Sequence, residues 1–219
     1  MQTVAHQVLA VVNQKTDMNT KLVNTISDIL KSAINQGRKS TLQPLIDYIQ
    51  GKVTADLAIN INFICTHNSR RSHLSQVWAQ IAAAHYQIPN VTCYSGGTEE
   101  TALFPKIAET FENAGIEVNI ISNSSNPIYA FKYDKNILPI IGFSKKYDSP
   151  FNPESNFAAV LTCSQADGGC PFIAGAEKRI PITFEDPKVS DNTELQNEVY
   201  QNRSLEIATE MFYVFSQIK

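Results

Sequence analysis

Residues 61–78, INFICTHNSRRSHLSQVW, decide the fold. The stretch opens with a hydrophobic strand that runs into Cys65, and Arg71 and Ser72 follow at the start of a helical pattern. A loop of this length between a strand and a helix turns its backbone N–H groups toward a common centre. The helix dipole favours an anion at the same point. The spacing C-x5-R-S therefore predicts a site for a tetrahedral oxyanion.

Each side chain in this loop has an expected role. Arg71 offers a planar fork to two oxygens of the anion, and the positive field favours the thiolate of Cys65, an in-line nucleophile. Ser72 is expected to donate a hydrogen bond to that sulphur, and Asn68 belongs to the residue types that tolerate a left-handed backbone. The residues expected to surround the oxyanion are Thr66, His67, Asn68, Ser69, Arg70 and Arg71.

Outward from this loop, strand and helix patterns alternate. Strands are predicted at 57–64, 91–95, 137–143, 157–162 and 179–183, with extended chain at 118–122. Helices are predicted at 72–86, 105–114 and 192–218, and loops at 122–129 and 144–156. The alternation indicates an α/β fold with a parallel sheet that helices cover on both faces.

Residues 1–55 read differently, as a helical extension before an α/β domain at 56–219. Apolar residues recur at helical spacing over 21–34, with Gly37 as the expected stop. A second helix is expected to begin at Ser40 or Thr41 and to end near Gly51.

Composition narrows the class of protein. The 219 residues are 43% hydrophobic and 18% charged, with a formal net charge of -3, which argues against disorder and against nucleic-acid binding. No apolar run is long enough to span a bilayer, and no signal peptide is apparent at the N-terminus. We therefore expect a cytoplasmic protein without a membrane partner, in which the four cysteines are thiols.

Two of these cysteines form a second pattern in residues 161–171, LTCSQADGGCP. Cys163 follows a hydrophobic strand, and the polar, glycine-rich linker to Cys170 can bend enough for a disulfide after rearrangement. The spacing does not suit zinc, so no metal is expected. On residues alone the pair is equally compatible with two unrelated thiols, and Cys93, inside a predicted strand, is expected in the core.

The loop resembles the signature C-x5-R-[ST] of the low-molecular-weight protein tyrosine phosphatase superfamily, which includes the thioredoxin-coupled arsenate reductases. The stretch YSGGTE at 94–99 is similar to a second motif of that superfamily, and the resemblance runs from about residue 59 to the C-terminus. It implies a four-stranded parallel sheet flanked by helices. Two positions depart from the family pattern: His67 stands where glycine is usual, and Arg70 where cysteine is frequent. Arg70 either attracts anions or points to solvent, and the second is expected, as is a surface position for His73.

Within this resemblance, C-x6-C-P looks like the redox segment of the arsenate reductases. It implies a relay in which Cys65 attacks arsenate, Cys163 forms a disulfide with Cys65, and Cys170 then forms one with Cys163. Thioredoxin would supply the electrons, and no bound cofactor is implied. Asp186, before Pro187, resembles the general acid of the superfamily, with Glu185 as its neighbouring alternative.

Three functions remain at this point. An arsenate reductase is favoured by the three thiols and by the absence of aromatic residues at 188–190, where the tyrosine phosphatases place them. A phosphatase acting on phosphomonoesters through a Cys65 phosphocysteine is the alternative, because the loop and Asp186 would suffice for it. A non-catalytic anion-binding module is the third, disfavoured by the complete set of nucleophile, arginine and acid.

Overall fold

The computed structural model describes residues 17–169 and 172–219, which form an α/β fold. Its helices are α1 (Thr20–Ile29), α2 (Gln36–Thr54), α3 (Arg71–His85), α4 (Pro105–Ala114), α5 (Ser164–Gly169) and α6 (Gln196–Ser216). Its strands are β1 (Ile59–Cys65), β2 (Val91–Gly97), β3 (Glu117–Ser122), β4 (Ile128–Lys132), β5 (Ile140–Gly142), β6 (Phe157–Leu161) and β7 (Ala176–Pro181). A 3-10 turn at Pro187–Ser190 precedes α6.

The main sheet has four strands in the order β2-β1-β6-β7, and all of its neighbouring pairs are parallel. This confirms the predicted four-stranded parallel sheet flanked by helices. Strands β1 and β6 lie in the middle, and their almost continuous hydrophobic burial is typical of strands covered on both faces. Because Ile64 pairs with Leu161, the two central strands end side by side. The segments that follow Ile64 and Leu161 therefore meet at the carboxyl edge of the sheet, where ligands bind in open α/β folds.

The N-terminal helices pack onto this sheet domain. Apolar side chains of α1 and α2, among them Leu22, Leu42 and Ile49, belong to the same hydrophobic core as β1, α3 and α6. Residues 1–16 lie outside the described part of the chain. The boundary between the extension and the α/β domain near residue 55 stays a prediction. A helical segment that shares its core with the sheet adds buried apolar area and thereby stabilises the whole fold.

The predicted start of α2 was wrong. The helix begins at Gln36, because the side chain of Asn35 accepts the N–H of Arg38 at 2.9 Å and caps it. Gly37 therefore lies in the first turn of α2, and the expected caps at Ser40 and Thr41 lie inside the helix.

A second sheet, β3-β4-β5, was only partly predicted. It is antiparallel. Strand β4 includes residues 128 and 129, which were predicted as loop, and residues 130–132, for which no element was predicted. Phe131 of β4 is fully buried and packs edge-on against Phe111 of α4 at 4.9 Å between ring centroids. Residues 143–152 follow β5 and pack against the loop that begins at Cys65. Among the described residues, no helix combines the length and apolar character needed to cross a membrane.

Candidate active site

The loop from Cys65 to Arg71, here called the anion loop, joins the end of β1 to the start of α3. Helix α3 has no side-chain cap at its N-terminus. None of the hydrogen bonds formed among residues 17–169 and 172–219 uses the backbone N–H groups at 67–70. Unpaired N–H groups at the positive end of a helix dipole form an attractive environment for an oxyanion.

Asn68 holds the anion loop in shape. Its φ of 43° is left-handed, as its residue type allows, and its side chain is buried. Its Oδ1 accepts the backbone N–H of Lys145 at 2.9 Å, and its Nδ2 donates to Ser72 Oγ at 2.8 Å. Because a backbone N–H can only donate, this pairing fixes the orientation of the amide group. Ser72 therefore accepts from Asn68 and keeps its own hydrogen for another partner.

That partner is Cys65, the predicted nucleophile. Cys65 Sγ lies 3.1 Å from Ser72 Oγ, so the hydroxyl of Ser72 can donate its hydrogen to the sulphur when the sulphur is a thiolate. The Cys65 side chain is buried at 4% exposure. A hydroxyl that donates to sulphur stabilises a thiolate, so the contact makes the role expected of Ser72 possible, and that role stays a prediction.

Cys163 lies in the same hydrophobic cluster as Cys65. It follows β6 by two residues, and Thr66 Oγ1 is 3.5 Å from its sulphur. The N–H of Ala166 donates to Cys163 Sγ at 3.3 Å. The linker expected to be flexible is folded as the short helix α5 up to Gly169. Cys170 lies outside the described residues, so its predicted role stays a prediction.

The side chain of Arg71 is directed toward Asp186, the predicted acid. Its guanidinium donates to Asp186 Oδ2 at 2.5 Å and to the backbone oxygen of Phe184 at 3.0 Å. Its Nε is buried and has no partner among the described residues, and the residue is only 8% exposed. The Nε–H of Arg71 therefore remains free for a ligand, and the structure brings the predicted arginine and the predicted acid into direct contact. Glu185 also lines the cleft that begins at this ion pair.

The two residues that depart from the family pattern, His67 and Arg70, have different surroundings. His67 is exposed, with Nε2 at 3.4 Å from Glu99 Oε2. Arg70 does not point to solvent, so that expectation was wrong. Its guanidinium donates to Asp191 and to the hydroxyl of Tyr200, each at 2.6 Å. Because these partners occupy the side chain of Arg70, its backbone N–H is the group that remains for the predicted contact with an oxyanion.

His73 was expected at the surface, and this was also wrong. It is fully buried, with Nε2 at 2.9 Å from the carbonyl oxygen of Asn68 and Nδ1 at 3.2 Å from Ser95 Oγ. Burial lowers the pKa of His73 to about 3, so the ring is neutral. Its place in the first turn after the anion loop was the sequence signal for a contact with that loop.

The paired glycines of YSGGTE have a steric reason. A Cβ at Gly97 would lie 2.7 Å from both the nitrogen of Asn68 and the oxygen of Thr66, and 2.4 Å from the oxygen of Glu99. A Cβ at Gly96 would lie 2.4 Å from the Cα of Tyr147. Only glycine lets β2 pass this close beneath the anion loop.

Sequence reasoning missed the residues that support the anion loop from residues 143–152. Ser144 Oγ donates to the carbonyl oxygen of His67 at 2.9 Å, and Lys145 holds Asn68 as described above. Lys145 itself is buried. The separation of 77 residues along the chain left no local signal for either contact.

Comparison with known proteins finds relatives that match part of the chain. No protein-family model matches the chain. Arsenate reductase 2 of Staphylococcus haemolyticus is 31% identical over 137 residues, which cover 62% of this chain and 84% of that protein. The arsenate reductase of Staphylococcus aureus is 32% identical over a match of the same extent.

Solved structures that align with this protein have lower sequence identity to it. A low-molecular-weight phosphotyrosine phosphatase from Vibrio cholerae gives a TM-score of 0.48 at 11% identity, over 73% of this chain and 95% of that one. An arsenate reductase in the phosphate-binding state gives 0.47 at 15% identity, over 74% and 99%. Both TM-scores lie below 0.5, so the assignment of the chain to a family rests on the sequence relatives.

Proposed function

The chain belongs to the arsenate reductase family of the low-molecular-weight protein tyrosine phosphatase superfamily, and from this premise we propose that it reduces arsenate to arsenite with Cys65, Cys163 and Cys170. We place the reaction in the cytoplasm, where thiols are kept reduced, with thioredoxin as the electron donor. The observation that carries the proposal is the position of Cys163 in one cluster with Cys65, at the ends of the two central strands.

The first step is a substitution at arsenic. Arsenate binds to the N–H groups of the anion loop and to Arg71, and the Cys65 thiolate attacks the arsenic atom. An S–As bond forms, an As–O bond breaks, and the oxygen leaves as water with a proton from Asp186. Ser72 assists because its hydroxyl stabilises the thiolate before attack.

The second step is the reduction. The thiolate of Cys163 attacks Cys65 Sγ, and a disulfide forms between the two residues. The S–As bond breaks with its electron pair on arsenic, which leaves as arsenite, while the two sulphurs are oxidised. The N–H of Ala166, which donates to Cys163 Sγ at 3.3 Å, holds the attacking sulphur in place.

The third step restores the nucleophile. Cys170 attacks Cys163 Sγ, Cys65 leaves as a thiolate, and a Cys163–Cys170 disulfide forms. The dithiol of thioredoxin reduces this disulfide and is itself oxidised.

A phosphatase is the second candidate, and the pairing of Arg71 with Asp186 favours it. Both residues would serve hydrolysis of a phosphomonoester by a Cys65 phosphocysteine, in which neither Cys163 nor Cys170 takes part. Residues 188–190 contain no aromatic side chain of the kind that the tyrosine phosphatases place there to flank a phenyl ring, which disfavours a phosphotyrosine substrate.

A coupled assay separates the two. It follows NADPH consumption with thioredoxin, thioredoxin reductase and arsenate for the wild type, Cys65→Ser, Cys163→Ala, Cys170→Ala and Cys93→Ala. Cys93 is the matched control, because it is a buried thiol remote from the chemistry whose pKa burial raises. We expect arsenate-dependent turnover that all three relay variants abolish and that Cys93→Ala retains.

The same proteins are tested on p-nitrophenyl phosphate. Absence of arsenate turnover in the wild type, together with phosphate release that needs Cys65 and tolerates Cys163→Ala, would refute the reductase proposal in favour of the phosphatase. Inactivity in both assays would leave the anion-binding module.

A further inference from the structure

Lys145 is a buried amine that the proposed chemistry does not use. Its side chain is 2% exposed and lies against the rings of Phe143 and Phe151, at 4.6 and 5.2 Å from the ring centroids. Its Nζ makes two long hydrogen bonds of 3.5 Å, to Ser95 Oγ and to the carbonyl oxygen of Phe143. None of the ion pairs of the described residues includes Lys145. A charge buried without a carboxylate is costly, so its surroundings must compensate.

One chain of hydrogen bonds runs from the backbone of Lys145 to the nucleophile. The N–H of Lys145 donates to Asn68 Oδ1, and Asn68 Nδ2 donates to Ser72 Oγ. Ser72 Oγ lies 3.1 Å from Cys65 Sγ, where its hydroxyl can donate to a thiolate. With a thiolate at Cys65, every donor in this chain is directed toward the sulphur.

A second chain runs from the ammonium group to the same asparagine. Because the carbonyl oxygen of Asn68 only accepts, the Nε2 of the neutral His73 carries the hydrogen, and its Nδ1 accepts from the Ser95 hydroxyl. The oxygen of Ser95 is then left to accept from Lys145 Nζ. Lys145 thus reaches Asn68 from two sides, through its backbone and through its side chain.

We propose that Lys145 is a positioning residue for the anion loop and that its positive charge strengthens oxyanion binding there. The inference rests on the proposed oxyanion site. In this arrangement the ammonium orders Ser95, His73 and Asn68, and it adds positive potential behind unpaired N–H groups of the loop. Removal of the charge weakens both effects.

The groups that face Lys145 allow its charge to change near neutral pH. Burial lowers the pKa of Lys145 to about 7. His73 on α3 is the titratable group in its hydrogen-bond chain, and it stays neutral because its pKa is about 3. Ser95 on β2, Asn68 in the anion loop and the two rings on its own segment carry no charge.

The sign of the effect follows from linkage. Lys145 is charged below about pH 7 and neutral above it, so oxyanion affinity is expected to fall as the pH rises through that value. By reciprocity a bound anion raises the pKa of Lys145. A coupling of about one pKa unit corresponds to about a tenfold change in affinity.

The experiment measures sulfate affinity by calorimetry between about pH 6 and pH 8.5, where sulfate stays a dianion and does not itself titrate. It is done in the full chain with Cys65→Ser, so that no thiol is present in the anion loop. Lys145→Met is compared with Lys146→Met, the adjacent, exposed lysine. We expect about a tenfold fall in affinity with pH in Cys65→Ser and after Lys146→Met, and a distinctly shallower fall after Lys145→Met, in which only the imidazole of His67 remains in the loop.

The outcomes distinguish the two proposals. A pH profile that Lys145→Met leaves unchanged overturns the role of Lys145 while the oxyanion site stands. Absence of sulfate binding to Cys65→Ser at any pH overturns both the site and this inference.

A second measurement does not depend on whether Lys145→Met folds. NMR titration of the lysine Cε and Nζ groups in the wild-type protein is expected to show one lysine with a pKa near 7, and added sulfate is expected to raise it. If every lysine titrates near its ordinary pKa, or if sulfate leaves the shifted one unchanged, the inference is wrong.

Discussion

Helix α5 lies between the two thiols of the proposed last step, and its stability should control the rate of that step. Along an intact helix the chain advances roughly 9 Å from Cys163 to Gly169, whereas a disulfide needs a Cα separation of about 4.4–6.8 Å. We therefore expect α5 to unwind before residue 170 reaches Cys163. The helix is short and ends in Gly168 and Gly169, both of which weaken helices.

The perturbation is Gly168→Ala together with Gly169→Ala. Apart from the helix's own backbone and the chain neighbours, no atom of the described residues lies within 4 Å of a Cβ built at either position, and neither glycine has a positive φ, so alanine fits without strain. Replacement of glycine by alanine stabilises a helix by up to about 1 kcal/mol per residue. Near a helix end the pair is worth roughly 1–2 kcal/mol, which lowers the population of the unwound segment by roughly 5- to 30-fold.

The assay is a single turnover with arsenate, quenched by alkylation, with mass spectrometry of the disulfides. Formation of Cys65–Cys163 is expected at the wild-type rate, and formation of Cys163–Cys170 is expected to slow by roughly 5- to 30-fold. Gly51→Ala is the matched control, because it also gives a helical glycine a Cβ in open space, in α2. An unchanged or faster second disulfide in the double variant would refute the reasoning.

Three further predictions concern the support of the site. Arg38→Ala leaves the buried carboxylate of Glu210 without the guanidinium that it binds at 2.5 and 2.6 Å, and the free energy of unfolding in urea should fall by about 3 kcal/mol; a loss below about 1 kcal/mol would contradict this. Gly97→Ala places a Cβ 2.7 Å from two backbone atoms of the anion loop and should weaken sulfate binding roughly tenfold or more in calorimetry, whereas Gly51→Ala should leave it unchanged. Because burial holds the pKa of His73 at about 3, below its ordinary 6.5, the unfolded chain binds a proton that the native state lacks as the pH falls below 6.5. Stability should therefore fall in acid by up to about 1.4 kcal/mol per pH unit, and His73→Gln should reduce this slope in urea unfolding between about pH 4.5 and 6.5, with an unaltered slope as the contrary result.

The parts of the site that are local in sequence could be predicted. The strand before Cys65, the left-handed Asn68 and the helix from Arg71 follow one another within a few residues, so hydrophobic spacing and residue type suffice. The parallel sheet followed from the alternation of strands and helices.

The parts that depend on distant contacts could not. Arg38 and Glu210 are 172 positions apart, and Lys145 and Asn68 are 77 apart, so nothing in either neighbourhood indicates the partner. His73 was misplaced for a related reason. Its helix α3 is covered both by the sheet and by α6, which buries polar positions that an amphipathic pattern would assign to solvent.

In the proposed reaction, the ion pair between Arg71 and Asp186 makes the affinity for an oxyanion a difference between two interactions. The incoming oxyanion would compete with the Asp186 carboxylate for one guanidinium, and the 2.5 Å contact would be exchanged for the new one. The same exchange would run backwards when the product leaves, because the carboxylate can bind Arg71 again as the anion departs. Occupancy of Arg71 by Asp186 is therefore expected to weaken binding of each anion and to speed the release of each product.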